Sequence, residues 1–229
     1  MAIFIDSGNL LEIEKYHRMG IIRGVTTNPS ILLSEGVIGG LKGIKERMQQ
    51  IAELIDPLPL SVEVTSNDKA EMLEQSERFS EWAKNINVKI TIHGPKGELV
   101  NMEVIHELEN QKNIRVNATA MMSAQQCLIA AMAGATWVSI FGGRVNDMGY
   151  NSVLEITKLR DLLDKFKLSS QIIVGSTRET FNITDWLVAG ADIVTVQPKF
   201  IGGMIVHPYT KETVEMFLRD AASGESKIK

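Results

Sequence analysis

The stretch Asn87-Val88-Lys89-Ile90-Thr91-Ile92 alternates polar and apolar side chains with a period of two, the pattern of a β-strand. Beyond it, residues 97–110 place Leu99, Val100, Met102, Val104, Ile105 and Leu108 at steps of three and four, the pattern of an amphipathic helix. A second β-rich run, 114–118, follows. Strand, helix and strand in that order form a crossover unit, and a crossover through a helix makes its two strands parallel. Parallel strands are normally covered on both faces and read as apolar runs. Lys89 therefore stands out, because its face of the strand has no bulk water to meet.

Outward from this unit the same two textures recur. β-Rich runs fall at 2–6, 24–27, 60–64, 88–92, 114–118, 137–141, 171–175 and 192–196. Helical spacing recurs at 121–133, 152–166 and 211–221. Eight units in 229 residues give roughly 29 residues per unit. An open doubly wound sheet and a closed barrel both satisfy the alternation. The count of eight in so short a chain favours a single (β/α)8 TIM barrel with an extra C-terminal helix over residues 1–222, and a frayed tail at 223–229.

Composition narrows the class. Apolar residues make up 44% and charged residues 23%, with net charge −4, which suits a packed globular chain. No apolar run reaches the ~18 residues of a membrane span, and the N-terminal run is interrupted by Asp6, unlike a signal peptide. A lone cysteine, Cys127, suits a reducing cytoplasm and reads as a small core residue on a helix. The acidic balance gives no reason to expect nucleic acid as a partner.

Other strands carry polar residues like Lys89. Ser61-Val62-Glu63-Val64-Thr65 sets Glu63 opposite an apolar face, Asp6 ends one run, Asn28 another, and Asn117 and Thr119 a third. In an antiparallel sheet these would simply face water. In a parallel barrel they point inward at the carboxyl end, where barrel enzymes build their sites. Asp6, Asn28, Glu63, Lys89 and Thr119 thus form one candidate constellation.

A lysine amine freed of its proton attacks a ketone to form a Schiff base, whose iminium accepts the electrons of an adjacent C–C bond. The proton transfers need an acid/base, and Asp6 and Glu63 are the carboxylates at hand. A salt bridge from Lys89 to Glu63 or Asp6 is the structural use of the same residues. After the sixth and seventh runs, Phe141-Gly142-Gly143-Arg144 and Gly175-Ser176-Thr177-Arg178 read as glycine-bearing loops with arginines, suited to an anion. The histidines His17, His93, His106 and His207 are scattered without ligand spacing, so no metal and no cofactor is expected. A non-catalytic barrel that senses a sugar phosphate through Arg144 and Arg178 is the alternative of a different class.

Gly24-Val25-Thr26-Thr27-Asn28-Pro29-Ser30 resembles the second-strand motif of the transaldolase and fructose-6-phosphate aldolase family. The resemblance extends through Ile5-Asp6, Val88-Lys89-Ile90, Asn117-Ala118-Thr119, Ala133-Gly134-Ala135, Ser139, Phe141, Arg144, Ser176 with Arg178, and 190–195. It implies that Lys89 forms the Schiff base, that Asp6 is the acid/base, and that Glu63 and Thr119 hold a catalytic water. Thr26, Asn28, Asn117, Ser139 and Phe141 fall to substrate binding, with Asn28 and Asn117 on the dihydroxyacetone part. Arg144, Ser176 and Arg178 bind the terminal anion. The length resembles the family's short branch, which assembles as homodecamers through a C-terminal helix.

At the position of Glu63 the family's aldolases usually carry Gln, and at that of Phe141 they carry Tyr. Glu and Phe make this chain resemble the transaldolases, which pass dihydroxyacetone to an aldehyde such as glyceraldehyde 3-phosphate. Two segments depart from the usual pattern: Lys89-Ile90-Thr91-Ile92-His93-Gly94-Pro95, and Ser139-Ile140-Phe141-Gly142-Gly143-Arg144. They border the anion end, and the whole resembles the branch that takes 6-deoxy-6-sulfofructose, releasing sulfolactaldehyde in sulfoglycolysis. An ordinary transaldolase on fructose 6-phosphate or sedoheptulose 7-phosphate, or an aldolase releasing free dihydroxyacetone, are the alternatives.

Overall fold

In the computed structural model, which describes residues 2–225 (side chains to 223), eight parallel strands close into one barrel in sequence order. The order is β1 (Ile3–Asp6), α1 (Leu10–Arg18), β2 (Val25–Thr26), α2 (Pro29–Ser34), α3 (Gly40–Ile55), β3 (Leu60–Glu63), α4 (Lys69–Ser80) and β4 (Ile86–Thr91). There follow α5 (Val100–Asn110), β5 (Val116–Met121), α6 (Ala124–Met132), β6 (Trp137–Ile140), α7 (Gly142–Asp147) and α8 (Ser152–Phe166). β7 (Gln171–Val174), α9 (Phe181–Val188), β8 (Ile193–Val196), α10 (Pro198–Ile205) and α11 (Pro208–Glu225) complete the chain. β1 pairs with β8 through Ile3↔Val194, Phe4↔Thr195 and Ile5↔Val196, which closes the barrel.

The alternation that marked the strands sorts their side chains. Outward, Ile5, Val25, Val62, Val88, Ile90, Val138, Val174 and Val196 pack with the helices in one continuous core. Inward, Phe4, Trp137, Ile173 and Ile193 form a separate apolar cluster. Each such buried side chain contributes roughly 1.5–3 kcal/mol. Thr26, Ser61, Asn87, Lys89, Asn117, Thr119, Ser139 and Thr195 are also buried, and they supply the polar side of the same strands.

Helix starts follow local chemistry. Asn28 caps α2 by accepting from the Ile31 amide at 2.9 Å, with Pro29 at the first helical position. Asn9, Asp68, Ser123 and Asn151 cap α1, α4, α6 and α8 in the same way.

Three local expectations are corrected. The helix expected from residue 121 begins at Ala124, because Met121 is still strand. The β5–β6 register shifts between Ala118 and Met121, and Ala120 adopts φ 62°. The segment read as a loop at 142–144 is the first turn of α7. Helix α11 continues through Glu225, past the boundary expected at residue 222, and residues 226–229 of the expected tail lie outside the described residues.

Candidate active site

A cavity of about 450 Å³ opens at the carboxyl ends of the strands. Asp6, Thr26, Asn28, Glu63, Lys89, Asn117, Thr119, Ser139, Phe141, Arg144, Ser176 and Arg178 all line it. The register explains the convergence. Lys89 lies opposite Glu63 on β3 and opposite Asn117 on β5, while Asp6 lies opposite Thr26. Residues so paired present their side chains on one face of the sheet, here the inside of the barrel.

Lys89 is 5% exposed, and its Nζ lies 2.8 Å from Glu63 Oε2 and donates to the Thr27 carbonyl at 2.9 Å. The salt bridge and the cavity-facing amine are therefore the same arrangement. A buried cation costs heavily unless paired, and Glu63 supplies the pair.

On the other side of the cavity, Thr26 Oγ1 donates to Asp6 Oδ1 at 2.7 Å. That leaves Thr195 Oγ1 to donate to Thr26 Oγ1 at 2.5 Å. Burial pushes the Asp6 carboxyl above its ordinary range. Lys89 and the Thr26 hydroxyl oppose that rise, while Glu35 and Glu63 add to it. Glu35 Oε1 accepts from Ser7 Oγ at 2.8 Å and its Oε2 from the Gly8 amide at 2.6 Å, fixing the chain beside Asp6.

Between the strands, Ser139 Oγ donates to Asn117 Oδ1 at 2.6 Å, and Asn117 Nδ2 donates to Ser61 Oγ at 3.2 Å. Asn117 is thus held rigidly in the cavity wall. Thr119 Oγ1 is buried and has no hydrogen-bond partner among the described residues, so its hydroxyl is free for a guest in the cavity. The Asn28 carbonyl oxygen is committed to capping α2, which leaves its amide nitrogen for the cavity.

At the mouth, both arginines are exposed. The Arg144 guanidinium lies 5.2 Å from the centre of the Phe141 ring, and Arg178 Nε donates to Asp147 Oδ2 at 3.0 Å. Gly143 is required at the start of α7, because a Cβ there would stand 1.7 Å from the Ser176 carbonyl oxygen. That close approach sets α7 directly against the turn after β7, where Ser176 takes φ 62°.

Sequence reasoning missed Thr195 and Gln197, which line the cavity, and Glu35 beside it. Thr195 was detectable, since it interrupts the apolar run of β8 as Lys89 interrupts β4. Glu35 gave no signal: it lies past the end of α2 and reaches β1 only through the fold. His93 is exposed, bonds the Gly94 carbonyl at 2.7 Å and does not line the cavity. Thr91 is drawn to α5, where Asn101 donates to its hydroxyl at 3.0 Å. Burial raises the Cys127 thiol far above its ordinary range, so it is an inert core residue. Among the described residues no group of three or more His, Cys, Asp or Glu is placed to hold a metal ion.

The fold and the cavity define a (β/α)8 barrel enzyme with a buried lysine and carboxylates at the strand ends. Residues 3–228 match the transaldolase/fructose-6-phosphate aldolase family, and the chain belongs to it. It is 39% identical over 220 residues to a probable transaldolase of Carboxydothermus hydrogenoformans, covering 96% of this chain and 97% of that one. It is 37% identical over 230 residues to a probable transaldolase of Clostridioides difficile, covering 100% of both. Among solved structures, a monomeric dihydrodipicolinate synthase variant superposes with TM-score 0.62 at 10% identity, covering 86% of this chain and 68% of that one. Thiamine phosphate pyrophosphorylase from Pyrococcus furiosus superposes with TM-score 0.54 at 13% identity, covering 86% and 85%. At such identities these two speak for the fold alone.

Proposed function

We propose that the protein is a Schiff-base transaldolase that moves dihydroxyacetone from a ketose to an aldehyde such as glyceraldehyde 3-phosphate. The observation that carries this reading is the buried Lys89 amine, 2.8 Å from Glu63, in a cavity it shares with Asp6. The free amine attacks the ketone carbon, forming a carbinolamine, and loss of water gives the iminium. The C3–C4 bond then breaks. Its electron pair moves into the iminium to form an enamine, and the C4 hydroxyl proton passes to Asp6 as the aldehyde leaves. The enamine attacks the acceptor aldehyde, whose oxygen takes the proton back, and water frees Lys89. Asp6 must both hold and release a proton, which its raised pKa favours. Glu63 and the unpartnered Thr119 hydroxyl flank the amine for the water steps, and Thr26, Asn28, Asn117 and Ser139 offer hydrogen bonds to the sugar.

Glu63 and Phe141 favour transfer over release. Phe141 brings no hydroxyl to help seat a protonating water, so the enamine waits for an acceptor. The donor we infer is 6-deoxy-6-sulfofructose, giving sulfolactaldehyde, with Arg144, Ser176 and Arg178 on the sulfonate. Its support is the altered 139–144 segment, whose Ser139, Phe141 and Arg144 line the cavity, together with the rim arginines; residues 90–95 do not line the cavity and add nothing to it. We further infer a cytoplasmic homodecamer; helix α11, exposed along the described part of its length and including Tyr209, Phe217 and Leu218, supports self-association.

Borohydride reduction in the presence of a donor ketose tests the mechanism. A three-carbon adduct is expected on the peptide holding Lys89; an adduct on Lys84 or Lys96 instead, or none, overturns it. Comparing kcat/KM for 6-deoxy-6-sulfofructose, fructose 6-phosphate and sedoheptulose 7-phosphate with one acceptor tests the donor. A higher value for either phosphosugar overturns the sulfosugar assignment.

A further inference from the structure

The two rim arginines are not equivalent. Arg144 has no carboxylate within ion-pair distance among the described residues, and its guanidinium rests over Phe141. Arg178 is held from its Nε edge by Asp147 Oδ2 at 3.0 Å, while its terminal nitrogens have no partner among the described residues. Asp147 is the last residue of α7, so the helix that carries Arg144 also carries the carboxylate that grips Arg178. The contact of Gly143 with the Ser176 carbonyl locks that helix against the β7 turn, which fixes the distance Asp147 must span.

This geometry has an electrostatic consequence. Asp147 neutralises roughly one of the two rim charges while leaving the Arg178 fork free to face the cavity. A terminal group with one negative charge then meets about one uncompensated positive charge. A phosphate ester carries about −1.5 to −2 at neutral pH; the two arginines attract its extra charge, and Asp147 cancels part of that gain. At a partly solvated separation of several ångströms that cancellation corresponds to about a three- to tenfold difference in affinity.

We propose that Asp147 is a specificity-determining residue: it positions Arg178 and reduces the advantage that the two arginines would otherwise give dianionic over monoanionic donors. The inference rests on the reading of the cavity as a ketose site with its anion end at Arg144 and Arg178.

The experiment measures kcat and KM for 6-deoxy-6-sulfofructose and fructose 6-phosphate in the wild-type protein, Asp147→Asn and Asp147→Glu. Asp147→Asn is expected to raise the phosphate-to-sulfonate ratio of kcat/KM about three- to tenfold, chiefly through KM. Asp147→Glu keeps the charge and should hold the wild-type ratio. In the wild-type protein that ratio should rise only slightly between pH 5.5 and 7.5, as the phosphate loses its second proton near pH ~6. In Asp147→Asn the rise should be steeper. An unchanged ratio in Asp147→Asn, equal losses for both donors, or Asp147→Glu behaving like Asp147→Asn would each leave Asp147 a structural clasp and overturn the proposal. Absence of turnover and of a trapped lysine adduct with both donors in the wild-type protein overturns the underlying ketose reading instead.

Discussion

Lys89 and Glu63 face each other across the β3–β4 pair, in register, with Nζ 2.8 Å from Oε2 and little of either side chain in contact with solvent. The pair solves a packing problem and a chemical one together. Burying the ammonium alone would be costly, and the carboxylate that compensates it is also the group best placed to receive a proton when the amine is freed.

Replacing Lys89 by Met removes the nucleophile and leaves Glu63 and the Thr27 carbonyl without their shared partner. Turnover of any ketose should fall by several orders of magnitude, measured as acceptor-dependent product formation. Binding of a charged donor should persist, detectable by calorimetry. Retention of more than about a tenth of the wild-type kcat would exclude Lys89 as the covalent residue.

Asp6 ties activity to stability. Its folded-state pKa lies above the unfolded value, because burial disfavours the charged carboxylate. Stability from this group is therefore full below the unfolded carboxylate pKa, about 3.9, and is lost as pH rises through the raised folded value. Asp6→Asn removes that loss. The variant should melt a few degrees higher than the wild-type protein at pH 8, with a smaller gain at pH 4. Its kcat should drop about 10²- to 10⁴-fold. Equal Tm changes at both pH values would contradict the assignment.

The rim arginines should act on charged donors alone. Arg144→Ala and Arg178→Ala are each expected to raise KM about tenfold or more for a donor with a terminal anion, and to leave an uncharged ketose analogue within about twofold. Equal KM changes for both donors would remove the anion role.

Phe141→Tyr preserves the ring beneath Arg144 and adds a hydroxyl at the cavity wall. Release of free dihydroxyacetone without an acceptor should rise severalfold, followed by a coupled reduction assay. No rise would sever Phe141 from the choice between transfer and release.

Much of the fold was legible because parallel βα units write two clear periods into a chain. Lys89 between Val88 and Ile90, and Glu63 between Val62 and Val64, betrayed an inner face that could not be solvent. Less was legible where backbone geometry breaks the period. The shifted register at Ala118–Met121 and the glycine contact that starts α7 have no signature in periodicity. Glu35 and Asp147 gave none either, since each reaches its partner across separate elements.

The sequence by itself determined that eight strands alternate with helices, which residues interrupt their apolar runs, and that a lysine with carboxylates is the candidate reactive set. Local period and residue chemistry suffice for that. The tertiary structure decided who touches whom: Lys89 with Glu63 and the Thr27 carbonyl, Asp6 with Thr26 and through it Thr195, Arg178 with Asp147. Those pairings depend on register, barrel closure and the approach of α7 to the β7 turn. They are set by packing across long sequence separations, which no local pattern encodes.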